Sequence, residues 1–494
     1  MSVSATARVL FVASEIFPLA KTGGLGDVSA ALPAALIKLG ADVRLLMPAY
    51  RGVLRQVPDA RLIADIDDLA GFGRVRVLLG SAPGSGVPLY LVVSVPLYGR
   101  PGEPYHDEAG DIWPDNDERF ALLCHAALAI ARSNDGASDP WQPDIMHCND
   151  WHTALVPALV NAQRGDGPAG AAPPVRTLLT IHNAAYQGPV SAQQLHEFGL
   201  STSADSSAQG DTSFLALGIQ HANRLTTVSP TYAKELQTRE FGCGLETLIA
   251  ARAADFTGIL NGVDYSVWDP SHDAALPAAY DALDPQGKAA CKRALLQELG
   301  LSDDMETPLL AVVSRLTAQK GLDMLVEASG DLLAKAVNLV VLGSGDAGLE
   351  AAFRALAADH PAQVAVRLEY DERLAHLIMA GADIFLMPSR FEPCGLNQMY
   401  ALRYATVPVI HAVGGLADTI VDADDESVEA GSGTGFVFRR PSANDFMSAI
   451  ARALLMRENT PAWRRLQSNG QAQDFGWEKA ARQYLGIYRE LIAR

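Results

Sequence analysis

Two α/β domains, each a parallel sheet wrapped by helices, are what this sequence predicts, and three observations predict them. Short apolar runs alternate with longer helical patterns nearly from end to end, which is the rhythm of β-α units. At 494 residues the chain exceeds what one hydrophobic core organises, and its 49% hydrophobic content suffices for two. A glycine-rich turn, Gly23-Gly24-Leu25-Gly26-Asp27, is echoed by Gly414-Gly415-Leu416-Ala417-Asp418, each following a strand-like run, as two similarly built halves would have it.

Taken in order, the strand-like runs fall at 8–13, 42–47, 89–95, 144–148, 176–182 and 225–228, then at 256–260, 309–314, 338–342, 364–369, 383–387 and 407–410. Between the first two, Val28 to Leu39 has a helical pattern that ends at Gly40. The Ser, Ala and Gly of Ser201 to Asp211 interrupt the rhythm and predict a mobile surface loop. Phe241-Gly242-Cys243-Gly244 and Asn261-Gly262-Val263-Asp264 punctuate a seam, and the domain boundary is expected near 256. This gives an N-terminal domain over 1–256, a second over 257–472 and a terminal helix within 473–494, amphipathic with Tyr484, Ile487, Tyr488 and Leu491 on one face.

Charge narrows the partners. A net charge of −18 repels nucleic acid and anionic membranes, so basic residues must be gathered locally to hold an anion. Five scattered cysteines without Cys-x-x-Cys spacing favour a reduced cytosolic protein over a disulfide scaffold or zinc site. No run approaches the roughly 18 apolar residues of a membrane span, and the N-terminus lacks the apolar core of a signal peptide. A soluble, cytoplasmic protein is expected. Nothing in the sequence sets an oligomeric state.

In an open parallel sheet, ligands bind beyond the carboxyl ends of the strands, so the residues that follow each run are the candidates. After the first run comes Lys21-Thr22-Gly23-Gly24-Leu25-Gly26-Asp27. Its glycines permit close backbone approach, a helix start offers amide N–H groups, and Lys21 adds a positive charge. That stretch alone leaves two readings open, an anion cradle or a tight turn that merely needs glycine. Later come His147 to Trp151, then His182, Asn183 and Tyr186.

Arg315 and Lys320 put two cations near a helix start, which would hold a diphosphate leaving group without a metal. Glu392, before Pro393-Cys394-Gly395 at another helix start, could accept hydrogen bonds from sugar hydroxyls, while amides of Gly395, Leu396 and Asn397 serve a phosphate. Cys394 itself reads as a small packing residue.

Two patterns compete with this reading. Gly343-Ser344-Gly345-Asp346-Ala347-Gly348 fits Gly-x-Gly-x-x-Gly, with Glu369 some way on, as an NAD site would. The pairs Asp65/Asp67 and Asp422/Asp424 have metal-binding spacing, but both lie in acidic stretches away from the basic residues, and no metal site is expected.

Together these stretches resemble the bacterial glycogen synthases and plant starch synthases. The resemblance rests on Lys21 to Asp27, Pro104-Tyr105, Asp115-Asn116, Arg119-Phe120, Asp150-Trp151, Ile181-His182-Asn183 and Tyr186-Gln187-Gly188. It continues through Thr227 to Tyr232, Asn261 to Asp264, Ser314 to Thr317, Gln319-Lys320-Gly321 and Ser389 to Leu396. It implies a retaining GT-B glucosyltransferase of two Rossmann-like domains facing a cleft, with the terminal helix packing back on the N-terminal domain. The substrates implied are ADP-glucose and the 4-hydroxyl at the non-reducing end of an α-1,4-glucan, with no cofactor.

The resemblance also assigns roles. Arg315 and Lys320 would neutralise the departing ADP, Lys21 would reach the same diphosphate, and Tyr370 would stack on adenine. Glu392 would bind glucose hydroxyls and His182 would sit beside the anomeric carbon. Glu15, Asp150 and Asn261 would line the sugar or acceptor side, while Gly23, Gly24, Asp27, Cys394, Gly395 and Leu396 would form the substrate-binding loops. A UDP-sugar transferase or epimerase of the same architecture is the alternative, and an NAD-dependent oxidoreductase a more distant one. Three positions depart from the family pattern: Tyr400, where many retaining relatives have a second glutamate, Asn397, where threonine is frequent, and Asn149, where histidine sometimes stands.

Overall fold

The structure, a computed structural model, describes residues 6–132, 141–163, 175–200 and 212–493. The loop expected at Ser201 to Asp211 lies outside the described residues. The chain divides into two compact units, one formed by Met1–Gly262 with Trp477–Arg494 and the other by Val263–Gly476.

The first unit is built on a nine-stranded sheet. Its order is Phe256–Gly258, Arg224–Thr227, Arg176–Ile181, Ile145–Asn149, Arg8–Val12, Asp42–Pro48, Pro88–Val93, Val75–Ser81, Arg61–Ile66. Pairing is parallel as far as Pro88–Val93, and the last two strands add antiparallel. The central strands are buried on both faces, as parallel strands under helices must be, Arg8–Val12 by an apolar run and Ile145–Asn149 with His147 and Asn149 enclosed among apolar neighbours. All the runs expected to be strands are strands, whereas Arg61–Ile66 and Val75–Ser81 were not foreseen. Arg61–Ile66 is an edge strand largely open to solvent, so it carries no apolar run to announce it.

The boundary falls after Gly262 rather than near 256. The reason is pairing: Phe256, Thr257 and Gly258 lie parallel to Leu225, Thr226 and Thr227, so that strand closes the first sheet instead of opening the second. At the other end the first unit takes the chain back from Trp477, not 473. The helix Trp477–Ala493 buries Tyr484, Ile487, Tyr488 and Leu491. Tyr488 is joined through its hydroxyl to His147 Nδ1 on a central strand, at 2.7 Å.

The second unit holds six parallel strands in the order Val364–Arg367, Asn338–Leu342, Leu309–Val313, Ile384–Met387, Val407–His411, Phe436–Phe438. This is the doubly wound order, with the chain reversing direction between Leu309–Val313 and Ile384–Met387. Its core joins Leu310, Val312, Leu339, Val341, Ile384, Leu386 and Val409 to helix residues such as Leu325, Leu332 and Phe446.

The first glycine-rich stretch also differs from expectation. Its helix runs Gly24–Lys38 and so begins four residues before Val28, with Gly23 as N-cap in extended conformation. Glycine in a first turn costs little, because the donors there have no intrahelical partner to lose.

Candidate active site

In the first unit the chain reverses at Arg8–Val12, and the groups beyond its carboxyl end converge. Glu15 is 3% exposed. Its Oε2 accepts from the backbone N–H of Thr22 at 2.5 Å and of Gly23 at 3.2 Å, and its Oε1 accepts from Tyr105 Oη at 2.5 Å. Tyr105 also meets Ser14 Oγ at 2.8 Å and stacks on His152. Glu15 therefore organises the glycine turn from below. Burial raises its pKa, opposed by those hydrogen bonds. Lys21 pairs with Asp27 of the same stretch at 2.9 Å, so two predicted ligand groups hold each other. Among the described residues, a Cβ on Gly23 would meet nothing within 4 Å.

From the next strand over come Asn149 and Asp150, both buried. Asp150 has φ +62°, a value unusual for a residue with a side chain, and its Oδ1 faces the amides of His182 and Asn183 at 3.3 and 3.4 Å. Burial pushes its pKa up to about 7. His182, at the end of Arg176–Ile181, has its Nε2 3.0 Å from Asn149 Oδ1, and burial lowers its pKa to about 3, so the ring is neutral. Asn261 follows the last strand of this sheet; its N–H donates to Val228 O, and its buried Oδ1 has no hydrogen-bond partner among the described residues.

The second unit repeats the plan at its own reversal. Lys320 Nζ lies 2.6 Å from Glu392 Oε2, which also accepts from Ser389 Oγ at 2.9 Å. Glu392 is buried, so its charge is compensated by a cation and a hydroxyl at once. Arg315 is exposed just past Leu309–Val313, with its carbonyl accepting from Thr317 N–H. Tyr370 is 73% exposed, and its hydroxyl donates to Glu372.

Gly395 has φ +70°. Gln398 donates to the carbonyls of Cys394 and Gly395, and Leu396 caps the helix Asn397–Arg403. Asn397 donates to Val313 O at 2.8 Å, tying that helix to the neighbouring strand end. Cys394 is buried and Gly415 packs on its carbonyl, consistent with a packing residue. Tyr400 is buried in a face-to-face stack on Trp268, with ring centroids 4.0 Å apart, so the family's second glutamate position is filled here by an aromatic core contact.

The competing patterns resolve by their neighbours. Cβ atoms on Gly343 and Gly345 would lie 1.8 Å from Ser314 O and 2.4 Å from Leu316 O, so these glycines let two turns pack together. The amides a pyrophosphate would use are already taken: Gly345 N–H by Glu350, Gly348 and Leu349 N–H by Asp346. Of the aspartate pairs, Asp65 is bound to Arg74 and Asp422 to Arg452, while Asp424 caps a helix.

Sequence reasoning gave no role to Asn149, Tyr105 or Gln398. A signal was present for two of them: Asn149 is a polar side chain at the end of a strand, and Gln398 opens a helix just before the apolar stretch Met399 to Leu402, whereas Tyr105 sits in a loop with no such mark.

Comparisons with known proteins agree in direction. A family profile described as the starch synthase catalytic domain matches residues 8–251, and one described as glycosyl transferases group 1 matches 300–473. The glycogen synthase of Paramagnetospirillum magneticum is 47% identical over 490 residues, covering 98% of this chain and 97% of the relative. That of Burkholderia thailandensis is 46% identical over 492 residues, covering 98% and 91%. Among solved structures, the catalytic domain of Starch Synthase IV from Arabidopsis thaliana, bound to ADP and acarbose, matches with a TM-score of 0.88 at 32% identity, covering 99% of this chain and 100% of that one.

Proposed function

The chain belongs to the glycogen and starch synthase family of GT-B glycosyltransferases, and from that premise we propose that it transfers glucose from ADP-glucose to the non-reducing 4-hydroxyl of an α-1,4-glucan with retention of configuration. The observation that carries this reading is the Lys320–Glu392–Ser389 cluster at the strand reversal of the second unit. It offers a carboxylate for sugar hydroxyls beside a cation for phosphate, the two chemistries of a sugar nucleotide.

Arg315 and Lys320 stabilise the negative charge that grows on the leaving diphosphate, and Lys21 of the first unit is a further cation to which the family resemblance gives a phosphate role. Tyr370 stacks on the base, and amides of Gly395 and Leu396 bind phosphate oxygens. Glu392 of the second unit is given the role of orienting the glucose; in the first unit, the family resemblance gives His182 a role at the reacting carbon and Glu15, Asp150 and Asn261 a role toward the acceptor. The bond from C1 to the diphosphate oxygen breaks as the acceptor O4 attacks from the same face, and the O4 proton passes to the departing phosphate. No metal or other cofactor enters this scheme. Among the described residues no helix is long and apolar enough to cross a membrane, and the reading places the protein in the cytoplasm with its glucan.

One assay tests the proposal. Glycogen with ADP-glucose, compared with UDP-glucose, each with and without EDTA, is expected to give glucose incorporation from ADP-glucose that EDTA does not reduce. Preferential incorporation from UDP-glucose would move the assignment to the alternative donor, and a requirement for divalent metal would overturn the leaving-group scheme.

A further inference from the structure

We propose that Asn149 is a positioning residue that holds the His182 imidazole in a single tautomer and orientation, with the proton on Nε2. The inference rests on the reading of His182 as the group beside the reacting carbon. Asn149 ends the strand Ile145–Asn149 and is fully buried. Its amide nitrogen donates to Val12 O at 3.0 Å and to His147 O at 3.2 Å. Turning the amide over would set its oxygen against both carbonyls, so those two groups fix which end is which. The Oδ1 atom that remains can only accept, and the ring nitrogen 3.0 Å from it, His182 Nε2, must therefore carry the hydrogen.

The neighbouring residue completes the grip. Asp150 Oδ1 faces the backbone N–H of His182 at 3.3 Å, so consecutive residues of one strand end hold the ring and the main chain of the same histidine. Burial keeps that ring neutral, which leaves the tautomer as its one protonation choice. Asn149 achieves this without charge. An aspartate in its place would accept from Nε2 equally well but would leave the carbonyls of Val12 and His147 without donors.

The test uses the full-length protein labelled with ¹⁵N-histidine, with the His182 resonances identified by their loss in His182→Asn. The wild-type ring is expected to show a proton on Nε2 and none on Nδ1. In Asn149→Ala the tautomers should mix and kcat should fall about 10- to 100-fold, as when an outer partner of a reacting group is removed, with the KM for the sugar nucleotide little changed. Asn149→Asp should retain the Nε2 proton and recover most of kcat while its thermal midpoint drops.

A wild-type ring protonated on Nδ1 overturns the inference, as does a folded Asn149→Ala with unaltered tautomer and kcat. If the alanine variant does not fold, the wild-type spectrum and the aspartate variant still decide. If the wild-type protein transfers no glucose yet shows the Nε2 proton, the functional reading fails while the tautomer assignment stands.

Discussion

Two stretches of this chain share the pattern Gly-Gly-Leu-x-Asp and use it in opposite ways. At Gly23, none of the described residues lies within 4 Å of where a Cβ would stand, and the turn is held by the buried carboxylate of Glu15 accepting from its amides. At Gly414 and Gly415, a Cβ would lie 2.0 Å from Glu392 O and 2.2 Å from Cys394 O. The first glycine stretch keeps a space empty, while the second fills one, pressing against the loop that carries Glu392. Similar letters after a strand therefore do not imply a similar ligand. What occupies the volume of the missing side chain tells the two apart.

The largest test of this contrast is Gly414→Ala. It combines a left-handed φ of +44° with a backbone collision, so a stability loss of about 2–5 kcal/mol is expected, read as a lower thermal midpoint. An unchanged midpoint would remove the buttress from the account. Next is Lys320→Ala, which takes away the cation paired with Glu392 and proposed to face the leaving group. A fall in kcat/KM of about 10²- to 10³-fold is expected while circular dichroism still reports a folded chain. Near-normal turnover would disprove the leaving-group role.

The third prediction concerns the first unit, whose strand ends are assembled from buried acids and histidines rather than from close contact. Asp150, raised to about 7 from its ordinary 3.8, binds more proton folded than unfolded between those values, so its contribution to stability declines as pH rises through that window. His147 and His182, lowered to about 3, act in the opposite direction. Asp150→Asn should therefore make stability climb with pH more steeply than in wild type, by up to about 1.4 kcal/mol per pH unit, measured by denaturant unfolding from pH 4 to 7. Equal slopes would refute the buried-acid description. The smallest effect on stability is expected from Gly23→Ala, about 0.5–1 kcal/mol, because the site is extended and open and only the poorer N-cap preference of alanine is felt. Its consequence should appear as a raised KM for the sugar nucleotide, and a KM equal to wild type would mean the space has no occupant.

Much of the fold was legible because parallel strands buried on both faces leave unbroken apolar runs, as at Val9 to Val12 and Leu339 to Leu342. What escaped was half-exposed, as in the antiparallel pair Arg61–Ile66 and Val75–Ser81, or very short, as in the three-residue edge strand Phe436–Phe438. The boundary missed for a related cause, since Phe256–Gly258 is a strand whose partner no pattern in its own residues reveals. The polar residues at strand ends were visible as candidates, Lys320 and Glu392 among them. Their pairing was not, because three strands intervene along the chain between the two loops, which only the sheet order brings side by side. Asn149 was noticed only as a departure from a pattern, since its meaning depends on which carbonyls its amide meets.

The helix Trp477–Ala493 has a consequence for how the protein is made. Because Val263–Gly476 forms a unit of its own, it is in effect an insertion between the last strand of the first sheet and the helix that covers that sheet. During synthesis the strand bearing His147 emerges well before the Tyr488 hydroxyl that satisfies its Nδ1, which follows only after the whole of Val263–Gly476. The first unit to be translated is thus the last to be completed. A stop codon shortly before Tyr484 would open the interior of the N-terminal unit while leaving the second unit whole.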